Sequence, residues 1–141
     1  MTLETHTDLH QFNWLLANFV RQTDGVRDAV AVSSDGLLIA TSDGLTRSEA
    51  DHLAAIVSSM ASLARSASRR YDFDSVKLIM IEMRRGFLLV SSIRDGSVLG
   101  VVAGGDCDLG LVGYEISSLA DRFGLLLTPA LISESRRQLP R

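Results

Sequence analysis

Apolar positions along the chain fall into eight blocks whose spacing switches between helical and strand periods. In the first, Leu9, Phe12, Leu15, Leu16, Phe19 and Val20 recur at three and four residues, which predicts an amphipathic helix over Asp8–Thr23. Asp8 is placed to cap its start, and Gly25 lies just past its end. Trp14 falls off the main stripe, at its edge or on a contact surface. Two short apolar runs follow, Val26–Ser33 and Leu37–Ser42, divided by Ser34-Asp35-Gly36; they predict a hairpin.

Asp43-Gly44 then turns into the longest block, Leu45–Arg70, LTRSEADHLAAIVSSMASLARSASRR. Thr46 and Glu49 form a capping-box pattern, with Leu45 and Ala50 in staple positions. No Gly or Pro interrupts the residues after the cap, so a helix of about 25 residues and roughly 37 Å is expected at 1.5 Å per residue. On a helical projection Leu53, Val57, Met60, Ala64 and Ala67 share one line. Ile56 and Leu63 flank it on one side, and Ala50, Ala54 and Ala61 on the other. This apolar arc is wider than one core face needs. The remaining arc carries Ser58, Ser59, Ser62, Ser66 and Ala55, with few charges. Small side chains admit another backbone, so the helix is expected to pack on its own sheet and on a partner as well.

Tyr71-Asp72-Phe73-Asp74 breaks the helical pattern. Three strands are predicted next, Ser75–Met83, Gly86–Ile93 and Ser97–Ala103, joined by Arg84-Arg85-Gly86 and Arg94-Asp95-Gly96. Lys77 and Glu82 in the first suit an edge strand whose pairing is controlled. Asp108 is placed to cap a last helix, Leu109–Phe123, with Gly124 as its stop. The order α-β-β-α-β-β-β-α with short hairpins predicts an α+β fold: a five-stranded antiparallel sheet with helices on both faces. Residues 8–127 form one domain in this reading. Residues 1–7 are a polar, flexible start and residues 128–141 a C-terminal tail.

At 141 residues the chain is long enough to bury a sizeable core, and 46% hydrophobic with 22% charged residues is a globular composition. A net charge of −3 provides no basic footprint for nucleic acid or anionic lipid. The single Cys107 excludes an intramolecular disulfide and fits a reducing compartment. No apolar run approaches a membrane span, and the start lacks a basic-then-apolar leader pattern. A cytoplasmic location without membrane insertion is expected.

Candidate chemistry is sparse. His6, His10 and His52 have no metal-ligand spacing around them, and solvated histidines are expected. Cys107 precedes a helix N-terminus but has no histidine close in sequence. Gly104-Gly105-Asp106-Cys107-Asp108-Leu109-Gly110 resembles a phosphate loop only superficially: it lacks the Gly-Lys-Ser/Thr ending, and two aspartates would repel phosphate. No nucleophile–base pair suggests catalysis. No cofactor, no metal and no enzymatic activity are expected. Arg65, Arg69, Arg70, Arg84 and Arg85 are solvated ends or a patch for an acidic protein surface.

The element order, the hairpin VAVSSDGLLIA at Val30–Ala40, the Ala/Ser-rich central helix and DLGLVGYEISSLADRF at Asp108–Phe123 together resemble the Roadblock family of dynein light-chain type, with its profilin-like sandwich. The resemblance spans about Leu9 to Leu125, with Asp108 standing where the family often has Asn. It is closest to stand-alone actinobacterial members, which resemble proteins encoded beside a Ras-like GTPase and a sensor-kinase-like protein. It implies a homodimer in which central helices pair and third strands join into a ten-stranded sheet. On this chain it points to Ala54, Val57, Ser58, Ala61, Ser62 and Arg65 of the helix and to the strand Val76–Met83, with Val76, Leu78 and Met80 foremost. It further implies a partner, a small Ras-like GTPase whose nucleotide cycle the dimer tunes, within a sensor-kinase-associated module. An arginine finger from Arg65, Arg69 or Arg84 is a hypothesis within that implication. The alternatives are an adaptor without nucleotide preference and a small-ligand sensor using a pocket between sheet and helices.

Overall fold

The computed structural model describes residues 2–127. In chain order it holds α1 (Thr2–Gln22), β1 (Val26–Val32), β2 (Leu38–Thr41), α2 (Arg47–Tyr71), β3 (Leu78–Met83), β4 (Gly86–Ser92), a 3-10 turn (Arg94–Gly96), β5 (Val98–Gly104) and α3 (Leu109–Leu126). The expected tail, 128–141, lies outside the described residues.

The five strands form one antiparallel sheet in the order β2-β1-β5-β4-β3, so β2 and β3 are its edges. Each strand sends alternate side chains to opposite faces, and both faces are covered. Ala29 and Ala31 of β1 meet Phe12, Leu16, Phe19, Ile116, Leu119 and Phe123 of α1 and α3 on one side. Val30 and Val32 meet Ala50, Ala54 and Val57 of α2 on the other. Phe12 and Phe123 stack with ring centroids 5.0 Å apart, tying α1 to α3 above the first face.

Local chemistry accounts for most element ends. Thr46 accepts from the Glu49 amide at 3.1 Å, and the Glu49 carboxylate accepts from the Thr46 amide at 2.9 Å, so the capping box is formed. Asp108 caps α3 by accepting from the Leu111 amide. Gly36 takes φ +89° in the β1–β2 turn, a conformation in which a Cβ would be strained.

Three ends differ from the pattern-based expectation. Helix α1 begins at Thr2, so Asp8 lies within it and does not cap it; no Gly or Pro upstream stops the helix earlier. Helix α3 runs through Gly124 to Leu126. Gly124 is not a left-handed stop. Its bare Cα lies against Arg94, whose Cγ would be 3.3 Å from a Cβ there. Strand β3 begins at Leu78, three residues late, because Asp72 and Asp74 both take left-handed φ (57° and 72°) and swing the chain through a loop first.

Candidate protein-binding surface

Helix α2 lies across the sheet on Ala50, Ala54, Val57 and Ala61, all buried. These residues follow a 4-3-4 spacing, which keeps them on one face. Val57 settles over Gly100 of β5, where the missing side chain lets the helix come close. Three of the positions expected at an intermolecular contact, Ala54, Val57 and Ala61, are therefore consumed by the chain's own core. The small side chains of Ala50, Ala54 and Ala61 serve helix-to-sheet approach, while Ala55, Ser59, Ser62 and Ser66 stay exposed. Ser58 is half-buried against the β1–β2 turn, its Oγ 3.0 Å from where a Gly36 Cβ would stand. Ser62 is exposed and Arg65 half-buried.

With that face turned inward, the outward apolar residues of α2 are Ile56 and Leu63, seven positions apart and so nearly superimposed along the axis. Leu63 is 67% exposed, and Leu53 and Met60 are half-buried beside them. At the helix's C-terminal end the exposed rings of Tyr71 and Phe73 stack at 5.7 Å. The sequence pattern marks this segment only as a helix break. Two aromatics spaced by an aspartate in a polar loop are the available signal.

Strand β3 adds a second exposed apolar element. Ile79 and Ile81 turn toward the α2 core. On the opposite face Leu78 and Met80 stay 51% and 50% exposed, because α3 packs over β4 and β5 and does not reach the edge. Met83 is as open. Val76 precedes the strand, half-buried. The two sheet edges are unlike. At β2 the side-chain oxygen of Asn13, from α1, accepts from the Thr41 amide at 3.0 Å. The outer side of β3 pairs with no strand among the described residues.

The electrostatics are mild. Burial raises the Asp28 carboxyl above its ordinary range, with Glu49 adding to the rise and Arg27 opposing it. Hydrogen bonds from Thr46, its backbone first, lower Glu49. Arg84 and Arg85 stand exposed at the tip of the β3–β4 hairpin. Among the described residues no group of three or more His, Cys, Asp or Glu is arranged to hold a metal, and no helix is long and apolar enough to cross a membrane. Cys107 is half-buried and packs against the α1/α3 core, its Cβ 2.5 Å from the point a Gly25 Cβ would occupy. His10 and His52 are exposed.

The fold is a two-faced α+β sandwich whose β3 edge, among the described residues, is unpaired and lies beside a helix carrying exposed apolar residues. The Roadblock/LC7 domain family model matches residues 12–103, and the chain belongs to that family. Among solved structures it is similar to a Roadblock/LC7 domain from Streptomyces avermitilis, with 35% identity and a TM-score of 0.75 over 79% of this chain and 92% of that one. It shares its fold with MglB of Myxococcus xanthus at 15% identity and a TM-score of 0.77, covering 85% and 92% of the two chains. It does so too with an MglB in a tetrameric arrangement, at 20% identity and 0.75, covering 84% and 89%. No curated protein matches in sequence.

Proposed function

We propose that this chain is a non-enzymatic, homodimeric regulator that binds a small Ras-like GTPase and tunes its nucleotide cycle. The carrying observation is the apolar surface formed by Ile56 and Leu63 of α2 and the open, half-exposed strand Leu78–Met83. An unpaired edge beside exposed apolar side chains is a template for strand addition by another chain. A second copy supplies both a matching edge and a matching helix. Family membership and the likeness to MglB, including its tetrameric arrangement, support self-association and a GTPase partner.

In this reading the dimer occupies the α2/β3 surface, and the GTPase binds a face that dimerisation assembles. Tuning requires different affinities for the two nucleotide states, since equal affinity shifts nothing. The cytoplasm, where such a GTPase resides, is the expected site of action, and a sensor-kinase-like protein is the expected further member of the module. The test is titration of the chain with a Ras-like GTPase from the same genome, loaded in turn with GDP and with a non-hydrolysable GTP analogue. Preference for one form supports the regulator. Equal affinity leaves an adaptor without nucleotide preference, and no binding to either form removes the GTPase from the reading.

A further inference from the structure

The backbone of β3 presents its polar groups alternately to its two sides. In an antiparallel pair, residues that exchange hydrogen bonds with the neighbouring strand alternate with residues whose N–H and C=O point away from it. The Ser92 amide donates to the Lys77 carbonyl at 3.1 Å, and the same pairing runs on from Leu78–Ser91 to Met83–Gly86. Lys77, Ile79, Ile81 and Met83 therefore turn their backbone groups toward β4. Leu78, Met80 and Glu82 turn theirs outward, along the edge that pairs with no strand among the described residues.

A second copy that meets this edge about a two-fold axis perpendicular to the sheet runs antiparallel to it and keeps both α2 helices on one face. Ladder bonds then form only where an outward residue of one copy opposes an outward residue of the other. With Met80 on the axis it opposes the partner's Met80, while Leu78 opposes the partner's Glu82 and Glu82 the partner's Leu78. Every outward residue is used. Moving the axis to Ile81 sets Leu78 against the partner's Arg84, in the hairpin turn. Moving it to Ile79 sets Glu82 against the partner's Val76, which precedes the strand. Either shift gives up one of the three backbone pairs.

Side chains select the same register. Ile79 and Ile81 lie half-buried toward α2. With Met80 on the axis, Ile79 opposes the partner's Ile81, so the core beneath α2 continues across the junction. With Ile79 on the axis, Ile81 opposes the partner's Lys77, and an ammonium meets an apolar position. With Ile81 on the axis, Lys77 is brought against the partner's Arg85, and like charges directly opposite are destabilising. We infer that two copies join along β3 in a single register, with Met80 on the two-fold axis. The inference rests on the homodimer reading and specifies its geometry.

The test is disulfide trapping in the full-length chain carrying Cys107→Ala, with Ile79→Cys, Met80→Cys or Ile81→Cys added singly. Mild oxidation with diamide is read on a non-reducing gel, beside the light-scattering mass of the unoxidised chain. Met80→Cys is expected to give a covalent dimer, because its Cα atoms lie about 5.5 Å apart, within disulfide range. Ile79→Cys and Ile81→Cys are each expected to give none alone, since each stands roughly 7–8 Å from its own counterpart. Mixed and left to exchange subunits, those two variants are expected to cross-link to each other, at a Cα separation of about 4.5 Å. The mixture decides the matter should the disulfide at Met80→Cys close slowly. Self-cross-linking of Ile79→Cys or Ile81→Cys moves the axis and overturns the inference, as does a dimer that cross-links in none of these samples. A chain that is monomeric by light scattering overturns the homodimer reading, and the register with it.

Discussion

Val57 Cγ2 of α2 stands 2.4 Å from the point at which a Cβ on Gly100 of β5 would lie. The helix therefore rests on a glycine, and its height above the sheet is set by that missing methyl. Gly100→Ala is expected to lower unfolding stability by about 1–3 kcal/mol, the usual range for overpacking a filled core. Urea denaturation measures it. Val57→Ala in the same chain should recover part of the loss, because the two positions share one contact. Additive losses would show that α2 shifts freely above the sheet.

Leu63→Glu is expected to abolish self-association while leaving the fold intact, since the side chain is two-thirds exposed and lies outside the buried core. Light scattering at low-micromolar concentration should move from twice the chain mass to the chain mass, with the circular dichroism spectrum unchanged. Ala61→Glu is the contrasting case. Ala61 is buried against the sheet, so a carboxylate there should unfold the chain. A wild-type chain that is already monomeric would remove the dimer from the proposed function.

Asn13→Ala removes the acceptor for the Thr41 amide and is expected to cost about 1 kcal/mol. Hydrogen exchange at Thr41 should accelerate well beyond that of β5 amides. No change would place that amide's protection elsewhere.

The raised carboxyl of Asp28 has a definite pH signature. Its folded-state value lies above the ordinary 3.8, so the native state holds the proton more tightly, and stability falls as pH rises through that window. Asp28→Asn is therefore expected to raise the melting temperature at neutral pH and to make little difference below the ordinary carboxylate range. Glu49, lowered by the capping box, runs the other way: its contribution is present above its ordinary value and fades as pH falls through the lowered one. Melting curves of Asp28→Asn and Glu49→Gln from pH 3 to 7, a span of roughly four units around the carboxylate range, separate them.

Features written in neighbouring residues are legible in the chain itself. The capping box of Thr46 and Glu49, the Asp108 cap, the hairpin turns and the order of elements all depend on contacts a few positions apart. The facing of α2 is not. Hydrophobicity alone centres the helix on Leu53, Val57 and Met60, whereas the sheet selects Ala50, Ala54, Val57 and Ala61. The selector is Gly100, distant in sequence from all of them. Gly124 misleads for the same reason: its neighbour is Arg94, thirty positions away.

The unequal edges of the sheet fix how many copies can join by strand pairing. β2 is only four residues long, and α1 packs against it and occupies its Thr41 amide. Among the described residues that leaves β3 as the open edge. A unit with one coupling end has a valence of one: when two copies meet, each satisfies the other and none remains. In the proposed dimer, edge-to-edge growth would therefore end at the pair.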